Sequence, residues 1–214
     1  STKTVRSTWG GFGRSIFDDI FPELRPRQRE VNSLGSGFVV SPYGYAVTNA
    51  HVVRRARDIT VKFADGTKYN ADVVVADASS DLAVIRLGRP IDRKSGAERK
   101  RSFPYLRLGR SDDLMVGETV IAVGNPLGFS NSVTTGVVSA VDRKLTFGNG
   151  VAYGNLIQID APINPGNSGG PLLNIRGEPI GVNTAIRADA QNIGFAVDID
   201  TVAKRLPAML DIEQ

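Results

Sequence analysis

The chain has 214 residues, 41% hydrophobic and 22% charged, with a formal net charge of +4, one histidine and no cysteine. That composition belongs to a folded globular protein able to bury roughly 70% of its unfolded surface, not to a disordered, fibrous or coiled-coil chain. The missing cysteines exclude disulfides, Cys-ligated zinc, iron–sulfur clusters and thiol catalysis, and the lone His51 excludes a multi-histidine metal cluster.

Eight of the 26 basic residues and two of the 22 acidic ones lie between Arg89 and Arg110, so the positive excess is local. A nucleic-acid footprint would spread basic residues over a face with interleaved aromatics, and no nucleic-acid partner is expected. No apolar run approaches the ~20 residues of a membrane-spanning helix. The chain starts at Ser1 without methionine or a secretory pattern, which reads as a processed or a truncated form.

Residues 1–34 carry Trp9, Phe12, Phe17 and Phe21 among glycines and charges and read as an irregular arm. Aromatics of that size are costly to leave in water, so the arm is expected to pack on its own domain or on another subunit. From Gly35 the signals are β. Gly37–Ser41, Tyr45–Asn49, Ile59–Phe63, Tyr69–Ala76 and Leu82–Leu87 are short, β-branched and separated by turns such as Pro42-Tyr-Gly44 and Ala64-Asp-Gly66. Gly88–Arg101, with its basic run, reads as a long solvated loop, with an anionic partner the less favoured use. A second set follows at Glu118–Val123, Ser132–Val141, Leu156–Ile159, Pro171–Asn174, Pro179–Ile186 and Ile193–Val197. Only the tail changes period: Val202, Leu206, Met209 and Leu210 share a helical face over about 200–211, with Asp200 as the expected N-cap and Pro207 shortening or bending the helix. The expected architecture is all-β, two six-stranded barrels (about 35–108 and 109–197) with a short C-terminal helix.

Three residues stand out chemically. Ser168, in Asn164-Pro-Gly-Asn-Ser-Gly-Gly-Pro171, sits among glycines that permit a sharp turn and let backbone N–H groups converge on an oxyanion. A plain Gly/Ser surface turn is the bland alternative. His51, in Val47-Thr-Asn-Ala-His-Val-Val53, has the ring suited to general base work, with an ordinary pKa near about 6.5. Beside apolar neighbours it also reads as a half-buried structural histidine, but any imidazole that activates Ser168 within this chain must be His51. A carboxylate is needed to orient that imidazole. Asp81, heading an apolar strand, is favoured, and Asp77 is the local competitor.

Chain order separates the candidate folds. In α/β-hydrolases the histidine follows the serine, and in subtilisins the aspartate precedes the histidine. The order His51…Asp81…Ser168 is that of the chymotrypsin barrels, in agreement with the β pattern.

Thr48-Asn-Ala-His-Val-Val53, Asp81-Leu-Ala-Val-Ile-Arg-Leu87 and Asn164–Asn174 resemble the three signature blocks of the HtrA/Deg family of chymotrypsin-fold serine endopeptidases. Gly124-Asn-Pro-Leu-Gly128, Val133–Val138 and Asn192-Ile-Gly-Phe-Ala196 are also similar to family segments. The resemblance runs from about Gly35 to the C-terminal helix. It implies an enzyme of protein quality control that cuts unfolded polypeptides with His51 as base, Asp81 as orienter and Ser168 as nucleophile. The backbone around Gly166, Asn167 and Ser168 would form the oxyanion hole. Ile193, Gly194 and Phe195 would offer the strand that pairs with substrate, and Ile163 and Ile186 would line a pocket for small or medium apolar side chains. No metal or organic cofactor is implied. The resemblance further implies a homotrimer held by the aromatic arm and an extracytoplasmic home, the periplasm in a bacterium or otherwise an organelle. Asn167 replaces the aspartate that digestive relatives use in zymogen activation, which is similar to the HtrA/Deg pattern of control by loop ordering. Family members usually carry one or more PDZ domains after the protease. This sequence ends at Gln214, so peptide-sensing regulation is not assigned to it. The rival reading is a peptide-binding or holdase module with a resting site.

Overall fold

A computed structural model describes residues 4–6, 34–54, 56–90, 102–125, 132–146, 152–164, 166–184 and 192–209. Its first sheet contains β1 (Thr4–Arg6), β2 (Phe38–Val39), β3 (Tyr45–Asn49), β4 (Ile59–Lys62), β5 (Lys68–Asp77) and β6 (Leu82–Pro90), in the spatial order β1-β4-β5-β6-β3-β2. A one-turn helix, α1 (Ala50–Val53), follows β3. The second sheet closes into a barrel of β7 (Thr119–Gly124), β8 (Ser132–Thr146), β9 (Ala152–Ile159), β10 (Pro171–Leu173), β11 (Pro179–Thr184) and β12 (Gly194–Asp198). Helix α2 (Ile199–Met209) leaves the end of β12. The fold is mostly β in two six-stranded sheets, as expected; the second is a closed barrel, and the first includes β1 from the N-terminal segment.

Turn chemistry sets the hairpins. Gly44, at φ 88°, closes the turn between β2 and β3, and its N–H donates to Ser41 O at 3.2 Å. Between β4 and β5, Asp65 Oδ1 accepts the Thr67 N–H at 2.8 Å, an Asx turn that fixes the register Ile59↔Ala71 to Lys62↔Lys68. All strand pairs among the described residues are antiparallel, and alternation along each strand divides its side chains between two apolar environments.

Three buried clusters result. One lies inside the first sheet, around Val61, Ala83 and Ile85, and a second inside the barrel, around Val120, Leu172 and Ile180. The third joins the halves: Phe38, Val47 and Leu82 meet Leu156, Val182, Phe195, Val197 and Ile199. On β12 the alternation is explicit, since Phe195 and Val197 face the other half while Ala196 faces the barrel interior. The segment before the barrel is pinned to the first sheet by Phe103, whose ring lies 5.4 Å from Tyr69 and 6.1 Å from Phe63.

Several boundaries differ from expectation. Thr4–Arg6 lies within the segment read as an irregular arm, yet it pairs with β4 through Thr4↔Lys62 to Arg6↔Thr60. Strand β6 runs on through Gly88–Pro90, residues assigned to the loop. The expected N-cap Asp200 sits inside the first turn of α2, which starts at Ile199. Ser111 serves that turn instead: its Oγ accepts the Asp200 N–H at 3.1 Å, and its own N–H donates to Asp200 Oδ2 at 3.3 Å. Helix α2 continues through Pro207 to Met209. Phe12, Phe17 and Phe21, the basic residues between Arg93 and Arg101, Ile186 and Leu210 lie outside the described residues. Among the described residues no helix is long and apolar enough to cross a membrane.

Candidate active site

The histidine and aspartate come together at the end of the first sheet. The chain leaves β3 and turns at once into α1, where buried Val52 and Val53 anchor the helix in the core and leave His51 at its edge. Asp81 lies at the tight turn that opens β6, at φ 53°, a left-handed conformation that Asp tolerates better than most residues. Asp81 Oδ2 is 2.7 Å from His51 Nδ1, and its Oδ1 accepts the His51 backbone N–H at 3.0 Å. The Thr184 hydroxyl donates to Oδ2 at 3.1 Å. The Asp81 carbonyl accepts from Ala50 N–H and from Asn49 Nδ2, each at 3.0 Å.

Asp81 is 4% exposed, so three donors are what make a buried carboxylate tolerable there. An ionised carboxylate only accepts, so Nδ1 carries the proton and Nε2 is the basic nitrogen of the neutral ring. Asp77 has a different task. Its carboxylate accepts from Ser79 N–H at 2.8 Å, from Ser79 Oγ at 2.6 Å and from Ser80 Oγ at 2.8 Å, capping the turn that presents Asp81. Of the two aspartates, Asp81 is the one whose carboxylate lies against His51. Burial first, and then the charge of Asp81, push the nearby Tyr153 phenol up to about 12, so it stays neutral at physiological pH.

Ser168 sits in the turn before β10 and is 1% exposed. Asn167 N–H donates to Asn164 O at 3.0 Å, Gly170 N–H to Asn167 O at 2.9 Å, and Gly169 N–H to Asn183 O at 2.8 Å. Glycine is required at Gly169: its φ is 86°, and a Cβ there would run into the Ser36 carbonyl and the Thr48 hydroxyl. Consecutive residues of β11 thus serve both parts of the site. Asn183 holds the Ser168 turn, and Thr184 holds Asp81. Ser36, just before β2, donates its N–H to Ser168 O at 2.8 Å.

Other sequence assignments fare unevenly. Of the oxyanion-hole residues expected from sequence, Asn167 turns its N–H to Asn164 O and its side chain is fully buried. Neither amide atom of Asn167 has a hydrogen-bond partner among the described residues. The substrate-pairing strand is also corrected. Phe195 pairs with Gln158 on one side and Thr184 on the other, and Ala196 is likewise flanked by Ile157 and Asn183, so β12 has no free edge there. Phe195 is core, at 4% exposure, whereas Ile193 is 39% exposed beside it. Ile163 is half-buried and packs over Gly194, where an added Cβ would meet Ile163 Cγ1 at 2.8 Å.

Sequence reasoning missed Ser36, Thr48, Asn183 and Thr184 as contributors. Asn183 and Thr184 had a visible signal, two polar residues ending an otherwise apolar strand and both buried.

A model of the family described as a trypsin-like peptidase domain matches residues 35–182. The chain belongs to the trypsin-like peptidase family. Within it, the relatives found are HtrA- and DegP-like. The chain is 45% identical over 190 residues to HhoA of Synechocystis, described as a serine protease, covering 88% of this chain and 46% of that one. It is 46% identical over 187 residues to a DegP-like periplasmic serine endoprotease of Chlamydia trachomatis, covering 86% and 35% respectively. The HtrA-type protease AlgW, solved with a tripeptide, superposes with a TM-score of 0.77 at 32% identity, over 98% of this chain and 60% of that one. The chain spans less than half the length of these two curated relatives.

Proposed function

We propose that this chain is the catalytic domain of an HtrA/Deg-type serine endopeptidase that cuts unfolded polypeptides outside the cytoplasm. The observation that carries the reading is the Asp81 carboxylate, bound to both the ring and the backbone of His51 and braced by Thr184 from the other sheet. An imidazole held so firmly through Nδ1 is oriented to use Nε2 as a base. Ser168 Oγ attacks the scissile carbonyl and passes its proton to His51 Nε2, while the N–H groups of Gly166 and Ser168 meet the developing oxyanion. Collapse of the tetrahedral intermediate transfers that proton to the leaving amine and leaves an acyl-enzyme. Water, with the same histidine as base, then hydrolyses it. The DegP-like relatives are named periplasmic endoproteases, which supports an extracytoplasmic location.

Half-buried Ile163, with Ile186, gives the pocket an aliphatic lining in this reading. Cleavage after Val, Ala or Ile is expected to exceed cleavage after Lys or Asp, and a peptide library cut mainly after basic residues would refute the lining. The aromatic arm is assigned to a homotrimer, which sedimentation of the chain with and without residues 1–30 examines. A monomeric intact chain refutes it.

Degradation of a permanently unfolded polypeptide by the wild type beside Ser168→Ala tests the activity itself. Loss of full-length substrate only with the wild type is expected, by a factor of about 10⁵–10⁶. Protection of the substrate by both proteins would instead favour a binding module.

A further inference from the structure

Ser36 has no accessible surface, and all of its polar groups are engaged. Its Oγ donates to Gly166 O at 2.6 Å and accepts the Asn125 N–H at 2.9 Å. Its N–H donates to Ser168 O at 2.8 Å, and its carbonyl accepts from Thr48 Oγ1 at 2.7 Å. The residue is wedged in place from both sides. A Cβ on Gly35 would stand 2.6 Å from Val52 Cγ1, and one on Gly37 would stand 2.8 Å from Val47 O.

Two of these four bonds grip the nucleophile turn, at the carbonyls of Gly166 and Ser168. Because a peptide unit is planar, fixing a carbonyl fixes the plane of the peptide it belongs to. Gly166, at φ 103°, has no side chain of its own to hold that plane, and the left-handed region leaves glycine free to choose others. An outside clamp on the peptides either side is therefore required if the turn is to present the Ser168 N–H in one orientation. Thr48, three residues before His51 in the same block, holds the clamp from behind.

We infer that Ser36 is a positioning residue for the oxyanion turn: its hydroxyl and N–H lock the Gly166 and Ser168 carbonyls, the peptides on either side of the one that carries the Ser168 N–H, so that this donor faces the tetrahedral intermediate. This role rests on Ser168 being the nucleophile. It acts on the transition state rather than on substrate binding, and it leaves the His51–Asp81 pair untouched.

The test compares wild type with Ser36→Ala, using a peptide substrate and a trifluoromethyl ketone of the same sequence. Ser168 Oγ adds to the ketone carbon, the carbonyl π pair becomes the oxyanion, and the serine proton moves to His51, so the adduct reports the hole directly. In Ser36→Ala, kcat is expected to fall about 10- to 100-fold with KM changed less than about threefold. Ketone affinity should fall by the same factor as kcat, and the acid limb of the pH–rate profile should stay in place. If Ser36→Ala does not fold, Ser36→Cys carries the comparison, since it fills the space but offers only a weak S–H donor. A wild type that forms no adduct overturns the reading of Ser168 and this role with it. A wild type that does, beside a folded variant with equal kcat and ketone affinity, overturns the role of Ser36 alone.

Discussion

At Asp81 a left-handed backbone, a buried carboxylate and three donors meet, and each donor comes from a different need. The His51 N–H fixes where α1 starts, the ring N–H fixes the tautomer, and Thr184 ties the pair to the barrel. Replacing the carboxylate and removing one donor should therefore have unequal effects. Asp81→Asn puts an amide N–H against Nδ1 and drives the proton to Nε2, so kcat is expected to fall about 10⁴-fold. Thr184→Val removes one hydrogen bond to a charged acceptor and should lower kcat/KM only about 10- to 100-fold. Steady-state rates on one peptide separate the two, and equal losses would mean that Thr184 does more than brace the carboxylate. Ser168, His51 and Asp81 stood out in the sequence as candidates, Ser168 through its glycines, His51 as the lone imidazole and Asp81 through chain order and family resemblance. Ser36 was not, since a buried serine becomes informative only once its partners, 130 residues away at Gly166, are in place.

Among the elements, the junction of β12 and α2 shows how a boundary moves. Helical spacing suggests a start at Asp200, but β12 runs straight into Ile199 and the capping falls to Ser111, from a distant loop. Sequence proximity gives no hint of such a cap. Burial holds the neighbouring Asp198 carboxyl above its ordinary value, against hydrogen bonds from Thr201 and Ser111. A group with a raised folded pKa keeps its proton more tightly in the folded state. Stability therefore drops as pH climbs from the ordinary carboxylate range through the folded value. Asp198→Asn keeps an acceptor without the buried charge. Its Tm should exceed that of wild type near pH 7, with the difference shrinking as the pH is lowered toward 4. A difference independent of pH would point to packing. The strand misassigned to substrate pairing has the same kind of origin: the alternation of Phe195, Ala196 and Val197 reveals a strand but not whether its edges are occupied.

Across the whole molecule the site lies where the two sheets join. His51 follows β3 and Asp81 precedes β6 of the first, Ser168 precedes β10 and Thr184 ends β11 of the second, and the cluster around Phe38, Leu156 and Phe195 holds the two together. Leu156 is fully buried in that cluster, and Leu156→Ala should destabilise the protein by about 2–5 kcal/mol. Calorimetry is expected to show one transition at lower temperature, with activity lost along it. Two separated transitions would mean that the sheets fold independently. The β character of the halves was readable because alternating apolar residues and Gly/Pro/Asn turns recur along the chain. The strand Thr4–Arg6 was not, because three residues carry no period and its pairing with β4 is a tertiary event.

Reaction with a fluorophosphonate, followed by mass-spectrometric mapping of the adduct in wild type and His51→Ala, tests the triad most directly. The phosphonyl group should sit on Ser168 alone in the wild type, and its rate of attachment should fall by about 10⁴-fold or more without the imidazole. An adduct on another residue, or equal labelling of both proteins, would contradict the account.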